Sequence, residues 1–391
     1  MKRVLANDGL PQEGIDIFNE AGIEVDTEKK SPEDLLDVIK EFDGLLVRSA
    51  TKVTRPVMEA GKNRLKIIGR SGVGYDNVDL DAASENGVVV KYAPHGNTNA
   101  TAELALALMF VVSRNIPQAY SDLRHGRWVK KPYEGVELSG KVLGVIGCGR
   151  IGQRLSELVP YMRVVGFDIR QNPESRIEYM DSIEDLLRVS DYVSIHTGGN
   201  EVIIDASRLG LMKSSAILIN ASRGKNVDQA ALREALETGR IAGAGIDVYV
   251  GEGKEGQEFH HPYEGLTNVV VTPHLGASTA EAQKKTAIEI AEKVSSYLLT
   301  GEWGGSVNAS EEVASEGKPI YTLFITHMDK PGMFGAIDTV LGDHGVNIRD
   351  NPSRKLGKDS RVQTVYQLHQ PPTDELIRAL RAVDGVYFVK R

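Results

Sequence analysis

Three side chains in the second half of this chain have types and positions suited to work on a carbon–oxygen bond. Arg223 follows the run Leu218-Ile219-Asn220, Glu252 closes the loop Asp247-Val248-Tyr249-Val250-Gly251, and His274 follows Val271-Thr272-Pro273. Each preceding run reads as a buried strand, and ligands of doubly wound sheets bind beyond the C-terminal strand ends. Oxidising a hydroxyl to a carbonyl needs a hydride acceptor and a base for the hydroxyl proton. Histidine suits the base because it titrates near neutral pH. A carboxylate beside it orients the imidazole and raises its pKa. An arginine can hold a substrate carboxylate through two hydrogen bonds and polarise the adjacent carbonyl. Taken singly, each residue is open to a plain role: a helix-capping or interdomain arginine, a solvated loop acid, or one structural histidine among nine.

The hydride acceptor is supplied by a second pattern. The apolar run Val142–Ile146 ends in Gly147-Cys148-Gly149-Arg150-Ile151-Gly152, a helical pattern follows, and Val164-Val165-Gly166-Phe167 closes on Asp168. This is the dinucleotide fingerprint in its required strand, turn, helix and strand context. Gly147 permits the tight turn, Gly149 lets backbone approach the pyrophosphate, and Gly152 lets helix pack on strand. The helix start, with Arg150 and Ile151, offers unpaired N–H groups to the phosphates. Asp168 is expected to accept from the ribose hydroxyls and repel a 2′-phosphate, which favours NAD over NADP, although Arg170 lies close by.

The elements that must position these groups come in two series. Residues 4–6, 44–47, 65–69 and 88–91 read as strands, and 11–21, 32–41 and 80–86 as helices, a βαβ pattern that makes a parallel sheet. Ala100–Ser113 has helical apolar spacing and is long enough to cross between lobes. Strands at 192–196, 216–220 and 242–247 continue the nucleotide domain, then 269–272 precedes a long helix over 279–299 that could return to the first lobe. The expected fold is α/β, with two doubly wound parallel-sheet (Rossmann-like) domains. The expected substrate domain is split into 1–95 and 270–300 around an NAD domain over 96–269. A Gly- and Glu-rich linker at 301–318 leads to a separate α+β ferredoxin-like βαββαβ domain at 319–391.

Bulk properties agree with an enzyme of this kind. The chain has 391 residues, 41% of them hydrophobic and 26% charged, ordinary for a globular protein of two or three domains. The net charge of −8 argues against a nucleic-acid partner. No apolar run reaches roughly 18 residues, so no membrane span is expected. Strand-like sequence from Arg3 leaves no room for a signal peptide, and the lone Cys148 suits a cytoplasmic protein without disulfides. Because Cys148 sits in the phosphate loop, where a small residue fits, a redox role is not expected of it.

Three stretches complete a resemblance. Residues 220–224, 247–252 and 273–274 carry the arginine, glutamate and histidine in the order used by the D-isomer-specific 2-hydroxyacid dehydrogenase family, which the chain resembles over residues 1 to about 300. The likeness extends to Arg48-Ser49-Ala50-Thr51-Lys52-Val53-Thr54, to the segment 69–79, to Ala93-Pro94-His95-Gly96-Asn97-Thr98 and to 274–279. It implies Arg223, Glu252 and His274 as catalytic residues, with Thr197 and Asp247 as further NAD contacts. It also implies Arg48, Ser49, Arg70, Gly72 and Asn97 as substrate contacts, in those members whose 2-hydroxy acid is phosphorylated. A phosphate calls for cations, and Arg48 and Arg70 stand at strand ends, with Lys130 a weaker third; each could instead pair with an acid such as Asp76 or Asp79. The alternatives are a reductase of an unphosphorylated 2-oxo acid and a non-catalytic NAD-sensing protein.

The C-terminal segment resembles an ACT domain, an amino-acid-binding regulatory module, in His327-Met328-Asp329-Lys330-Pro331-Gly332 and Gly345-Val346-Asn347-Ile348. That likeness implies L-serine as effector, held by His327, Asp329 and Asn347. Asp329 stands where Asn is common, and a ligand-free dimerisation module is the alternative. Gly198 and Gly253 replace usual prolines of the family. Homodimers or homotetramers are expected, with Ala100–Pro132 pairing the NAD domains.

Overall fold

The structure, a computed structural model, describes residues 1–199, 201–253, 256–302, 304–308, 321–351, 353–356 and 361–390. Asn200 and most of the expected linker (303 and 309–318) lie outside the described residues. The chain forms two compact units, one of Met1–Gly96 with Gln283–Arg391 and the other of Asn97–Ala282.

The first unit opens with β1(Lys2–Ala6), α1(Gln12–Glu20), β2(Ile23–Asp26), α2(Pro32–Val38), β3(Gly44–Val47), α3(Arg55–Gly61), β4(Ile67–Arg70), α4(Leu80–Glu85) and β5(Val89–Tyr92). The strands make a parallel sheet in the order β2-β1-β3-β4-β5. Its inner strands bury both faces, which is why they read as unbroken apolar runs such as Leu45-Leu46-Val47.

The second unit holds α5(Thr98–Ser113), α6(Ile116–Arg124), β6(Val142–Ile146), α7(Arg150–Leu158), β7(Arg163–Phe167), β8(Glu178–Tyr179), α8(Ile183–Val189), β9(Tyr192–Ile195), α9(Ala206–Leu209), β10(Ile217–Asn220), α10(Gln229–Glu237), β11(Gly243–Ile246) and β12(Val269–Val271). Its seven strands are parallel in the order β12-β11-β10-β9-β6-β7-β8, so the winding reverses between β6 and β9. Helix α5 packs on α7, β10 and β11, wholly inside this unit. The expected boundary at 269/270 is corrected: β12 pairs with β11 and completes the nucleotide sheet, so the unit runs to Ala282.

The long helix α11(Ala280–Thr300) returns the chain to the first unit. There it lies on β4, where a Cβ on Gly69 would meet Ile290 and Val294 at 3.0 and 2.8 Å. Beyond it come β13(Tyr321–Met328), α12(Met333–Asp343), β14(Ile348–Asp350), β15(Ser353–Leu356), β16(Arg361–Leu368), α13(Asp374–Arg381) and β17(Val386–Lys390). The strands form an antiparallel sheet in the order β14-β16-β13-β17, with β15 also on β16. Helices α12 and α13 cover one face through Leu323, Ile325, Ile337, Leu341 and Leu380. On the other face Phe324 and Val365 join the cluster of Ile290, Val294, Tyr297 and Leu298. This sheet thus has its own core under the two helices and also shares a core with the first unit, with which it forms one compact unit. No single helix among the described residues is long and apolar enough to cross a membrane.

Candidate active site

Arg223, Glu252 and His274 follow three neighbouring parallel strands, β10, β11 and β12, at their C-terminal ends. The His274 ring Nδ1 lies 2.9 Å from Glu252 Oε2. Glu252 Oε1 in turn accepts from the Tyr249 N–H at 3.3 Å. The hydrogen bond to Glu252 raises the His274 pKa, and the carboxylates of Glu252 and Asp247 add to it against burial and the Arg223 charge. Burial alone would raise Glu252, but His274, the Tyr249 N–H and Arg223 together hold it below the ordinary value. Arg223 is therefore felt electrostatically by both partners. With Nδ1 committed to the carboxylate, Nε2 is the nitrogen that can take or give a substrate proton.

The loop carrying His274 is bent sharply. His274 sits at φ 56°, a left-handed conformation that a non-glycine residue adopts at a cost of about 1–3 kcal/mol. Asp247 holds the bend: its carbonyl accepts the His274 N–H at 2.8 Å. Its carboxylate accepts from Thr272 Oγ1 (2.6 Å), Leu275 N (2.7 Å) and Gly276 N (2.9 Å). Asp247 is fully buried, and burial pushes its carboxyl upward. The expected cofactor contact at Asp247 is thus revised, since its side chain is engaged inside the protein, shaping the histidine loop. Arg223 is fixed through Asn220, whose Nδ2 donates to the Arg223 carbonyl at 2.9 Å, while Arg223 Nη1 donates to the Ser222 carbonyl at 2.8 Å.

The glycine loop lies at the β6/β9 reversal. Gly147, at φ 92°, has no room for a Cβ, which would meet the His196 carbonyl oxygen at 2.7 Å and Thr197 N at 2.9 Å. Gly152 packs helix α7 on the loop, since a Cβ there would overlap the Gly147 carbonyl oxygen and meet Val145 Cγ1 at 2.8 Å. A Cβ on Gly149 would meet nothing within 4 Å, so the first turn of α7, with Arg150 and Ile151, keeps an open approach to its N–H groups. Asp168 anchors this loop by accepting from Cys148 N at 2.7 Å and Arg170 N at 2.9 Å. These features fit a dinucleotide. Burial pushes the Cys148 thiol up to about 12, which keeps it neutral.

Sequence reasoning missed Asn226. Fully buried, it accepts from Ser222 Oγ (3.1 Å) and Thr197 Oγ1 (3.4 Å) and donates to the Gly199 and Glu201 carbonyls (3.2 and 3.0 Å). One amide thereby links the Thr197 loop to the Arg223 strand end. Only its burial distinguishes it from other loop asparagines, and burial is not visible in the local pattern. Gly198 has open space around its Cβ position, whereas the Phe259 ring stands beside Gly253.

In the first unit, the loop Arg48–Thr51 is held from both sides. Asp8 accepts from Arg48 N (2.7 Å), Thr51 N (3.1 Å) and Thr51 Oγ1 (2.7 Å). Asn77 Nδ2 donates to the carbonyls of Arg48 (2.7 Å) and Thr51 (2.6 Å). Arg48 and Ser49 are exposed, and among the described residues the Arg48 guanidinium has no carboxylate partner. Asp79 instead caps α4 through Ala82 N at 2.8 Å. Arg70, at the end of β4, donates to the Ser71 carbonyl at 3.0 Å and lies across Gly72. Any Cβ on Gly72, at φ 145°, would overlap that guanidinium, so Gly72 makes room for Arg70. Asn97 belongs to the second unit, at the start of α5, with a buried Oδ1 that has no hydrogen-bond partner among the described residues. Lys130 stands 5.7 Å over the Trp128 ring.

Comparison with known proteins gives the family. The profile of the D-isomer specific 2-hydroxyacid dehydrogenase NAD binding domain matches residues 106–276. The D-3-phosphoglycerate dehydrogenase of Methanocaldococcus jannaschii is 40% identical over 97% of this chain and 70% of its own length. The hydroxypyruvate reductase of Thermotoga maritima is 40% identical over 75% of this chain and 97% of its own. The chain belongs to the D-isomer-specific 2-hydroxyacid dehydrogenase family. The TT0316 protein of Thermus thermophilus superposes with a TM-score of 0.71 at 34% identity, covering 78% of this chain and 99% of that one. As a member of the family, the protein is an NAD-dependent dehydrogenase of 2-hydroxy acids.

This dehydrogenase departs from expectation at its C-terminal residues. His327 is buried, 1% exposed, with Nδ1 at 3.0 Å from the Met328 carbonyl and Nε2 at 2.8 Å from Thr364 Oγ1, and its ring meets Phe334 edge-on. The position expected as an effector contact, His327, is thus buried, with both ring nitrogens engaged within the module. Asp329 pairs with Lys355 at 2.7 Å. Asn347 is exposed, and its carbonyl accepts from His369 N at 3.2 Å.

Proposed function

We propose that this dehydrogenase oxidises D-3-phosphoglycerate to 3-phosphohydroxypyruvate, the entry to L-serine synthesis. Bound NAD supplies the acceptor for the C2 hydride. His274 Nε2 takes the C2 hydroxyl proton, and Glu252 stabilises the imidazolium that forms. Arg223 holds the substrate carboxylate and polarises the C2 oxygen. Arg48 and Arg70 are the cations a phosphate requires. The observation that carries this choice is the exposed Arg48 guanidinium, held by its backbone yet without a carboxylate partner among the described residues. The 40% identity to a D-3-phosphoglycerate dehydrogenase over 97% of the chain supports it.

A second reading is reduction of hydroxypyruvate or glyoxylate, favoured by the relative named for hydroxypyruvate, 97% of whose length is matched. NADH oxidation with 3-phosphohydroxypyruvate and hydroxypyruvate in parallel separates the two. Preference for the phosphorylated acid supports the first, and equal or faster turnover of hydroxypyruvate overturns it. Adding L-serine tests the C-terminal module as a sensor; the engaged His327 favours an assembly role, with no inhibition expected. Exposed Ile116, Tyr120, Leu123 and Trp128 support self-association through the expected segment, which sedimentation measures directly.

A further inference from the structure

Helix α4 is gripped at one end by the C-terminal module and tied at the other to the loop that carries Arg48. At its C-terminal end, Gln363 Nε2 of β16 donates to the Ser84 carbonyl, and Arg361 pairs with Glu85 at 3.5 Å. Lys390 of β17 donates to the carbonyls of Asn86 (2.8 Å), just past the helix end, and Leu65 (2.9 Å). Gly87, at φ 59°, gives that lysine its passage, since a Cβ there would meet Lys390 Cδ at 2.8 Å. At the N-terminal end, Asp79 caps the helix and its N–H donates to the Val53 carbonyl at 2.9 Å. Two residues earlier, the Asn77 carbonyl accepts from Val53 N at 2.8 Å while its side chain holds the carbonyls of Arg48 and Thr51. Six residues of helix, about 9 Å, separate the grip from the loop.

The grip combines opposed contributions. Phe324 and Val365 bury apolar surface against the first unit's core. Yet Thr326 Oγ1, Gln363 Oε1 and Gln367 Oε1 lie buried in the same sheet without a hydrogen-bond partner among the described residues, which opposes that gain. Lys390 meets carbonyls rather than a carboxylate, and burial lowers its pKa to about 8.

We propose that the C-terminal module sets the position of the Arg48 loop through α4, with Lys390 and Gln363 as positioning residues for the substrate cations. The inference rests on Arg48 as a substrate contact. The test uses the full chain with Lys390→Met, which keeps the buried stem, and Gln363→Leu as an independent second variant. Four quantities are read: hydrogen exchange of peptides covering 48–53 and 77–79, KM and kcat for 3-phosphohydroxypyruvate, and NADH affinity by fluorescence. Either variant should speed exchange in both peptides and raise KM about three- to tenfold, with NADH affinity and kcat near the parent values. Faster exchange with KM unchanged keeps the coupling and overturns Arg48 as a substrate ligand instead. Faster exchange at 84–87 with 48–53 and 77–79 unchanged in both variants overturns the coupling.

Discussion

The two parallel sheets of this dehydrogenase end in different chemistry. At the C-terminal edge of the first, the Arg48 backbone is held by the side chains of Asp8 and Asn77, and the Arg70 guanidinium donates to the Ser71 carbonyl. At the same edge of the second, His274 and Glu252 lie in hydrogen-bond contact and shift each other's pKa, with Arg223 acting on both. The first edge presents fixed charge and the second can move a proton. Similar windings of strand and helix thus divide recognition from reaction, because function resides in the loops rather than in the architecture.

The sharpest way to break this division is at the base. His274→Asn should lower kcat about 10²- to 10⁴-fold while leaving NADH binding intact, since only proton transfer is lost. Turnover within a few-fold of the parent would remove His274 from the chemistry. Glu252→Gln comes next, with an expected loss of about 10- to 100-fold in kcat from the misdirected, less basic imidazole. Its pH profile carries the sign. Glu252 raises the His274 pKa, so the parent's oxidation rate rises through a midpoint above the ordinary histidine value of 6.5. The variant's midpoint should move down toward that value, and in the reduction direction the fall should begin at lower pH. An unmoved midpoint would show that another group titrates.

At the first edge the effects should fall on binding. Arg48→Met should raise KM for 3-phosphohydroxypyruvate about 10- to 100-fold, the worth of a charge-assisted hydrogen bond, and leave hydroxypyruvate turnover nearly unchanged. Equal losses on both acids would place Arg48 outside phosphate recognition. The smallest effect is expected at Cys148. With its thiol pushed up to about 12, alkylation by iodoacetamide at pH 8 should be slow in the native protein, and Cys148→Ser should leave kcat and NADH affinity near parent values.

The strands with both faces buried were legible because burial forces apolar runs, and the glycine loop because its turn requires particular residues. Elements with weaker constraints were not legible. Strand β2, Ile23-Glu24-Val25-Asp26, lies at a sheet edge and alternates, and α3 opens on Arg55-Pro56, a pair that reads as a break although proline suits the first helical turn. The short β15 depends on pairing with β16 rather than on its own sequence, Ser353-Arg354-Lys355-Leu356. Among candidate site residues, Arg223, Glu252 and His274 could be set beyond strand ends from position alone, and the structure has them there. The internal partners of His327 and Asp247 were not legible, because a motif position fixes neither which face a side chain takes nor whether its polar atoms find partners within the protein.

The packing of α11 on β4 governs how the protein must be made. The core beneath the first sheet contains Ile290, Val294 and Leu298, which leave the ribosome only after the whole of Asn97–Ala282. At synthesis rates of about 5–20 residues per second, the apolar strands of the N-terminal lobe wait roughly 10–40 s for the helix that covers them. The later-made nucleotide unit is contiguous and can close first. Newborn chains are therefore most vulnerable to aggregation and chaperone capture during that interval, through the part of the protein that is translated earliest.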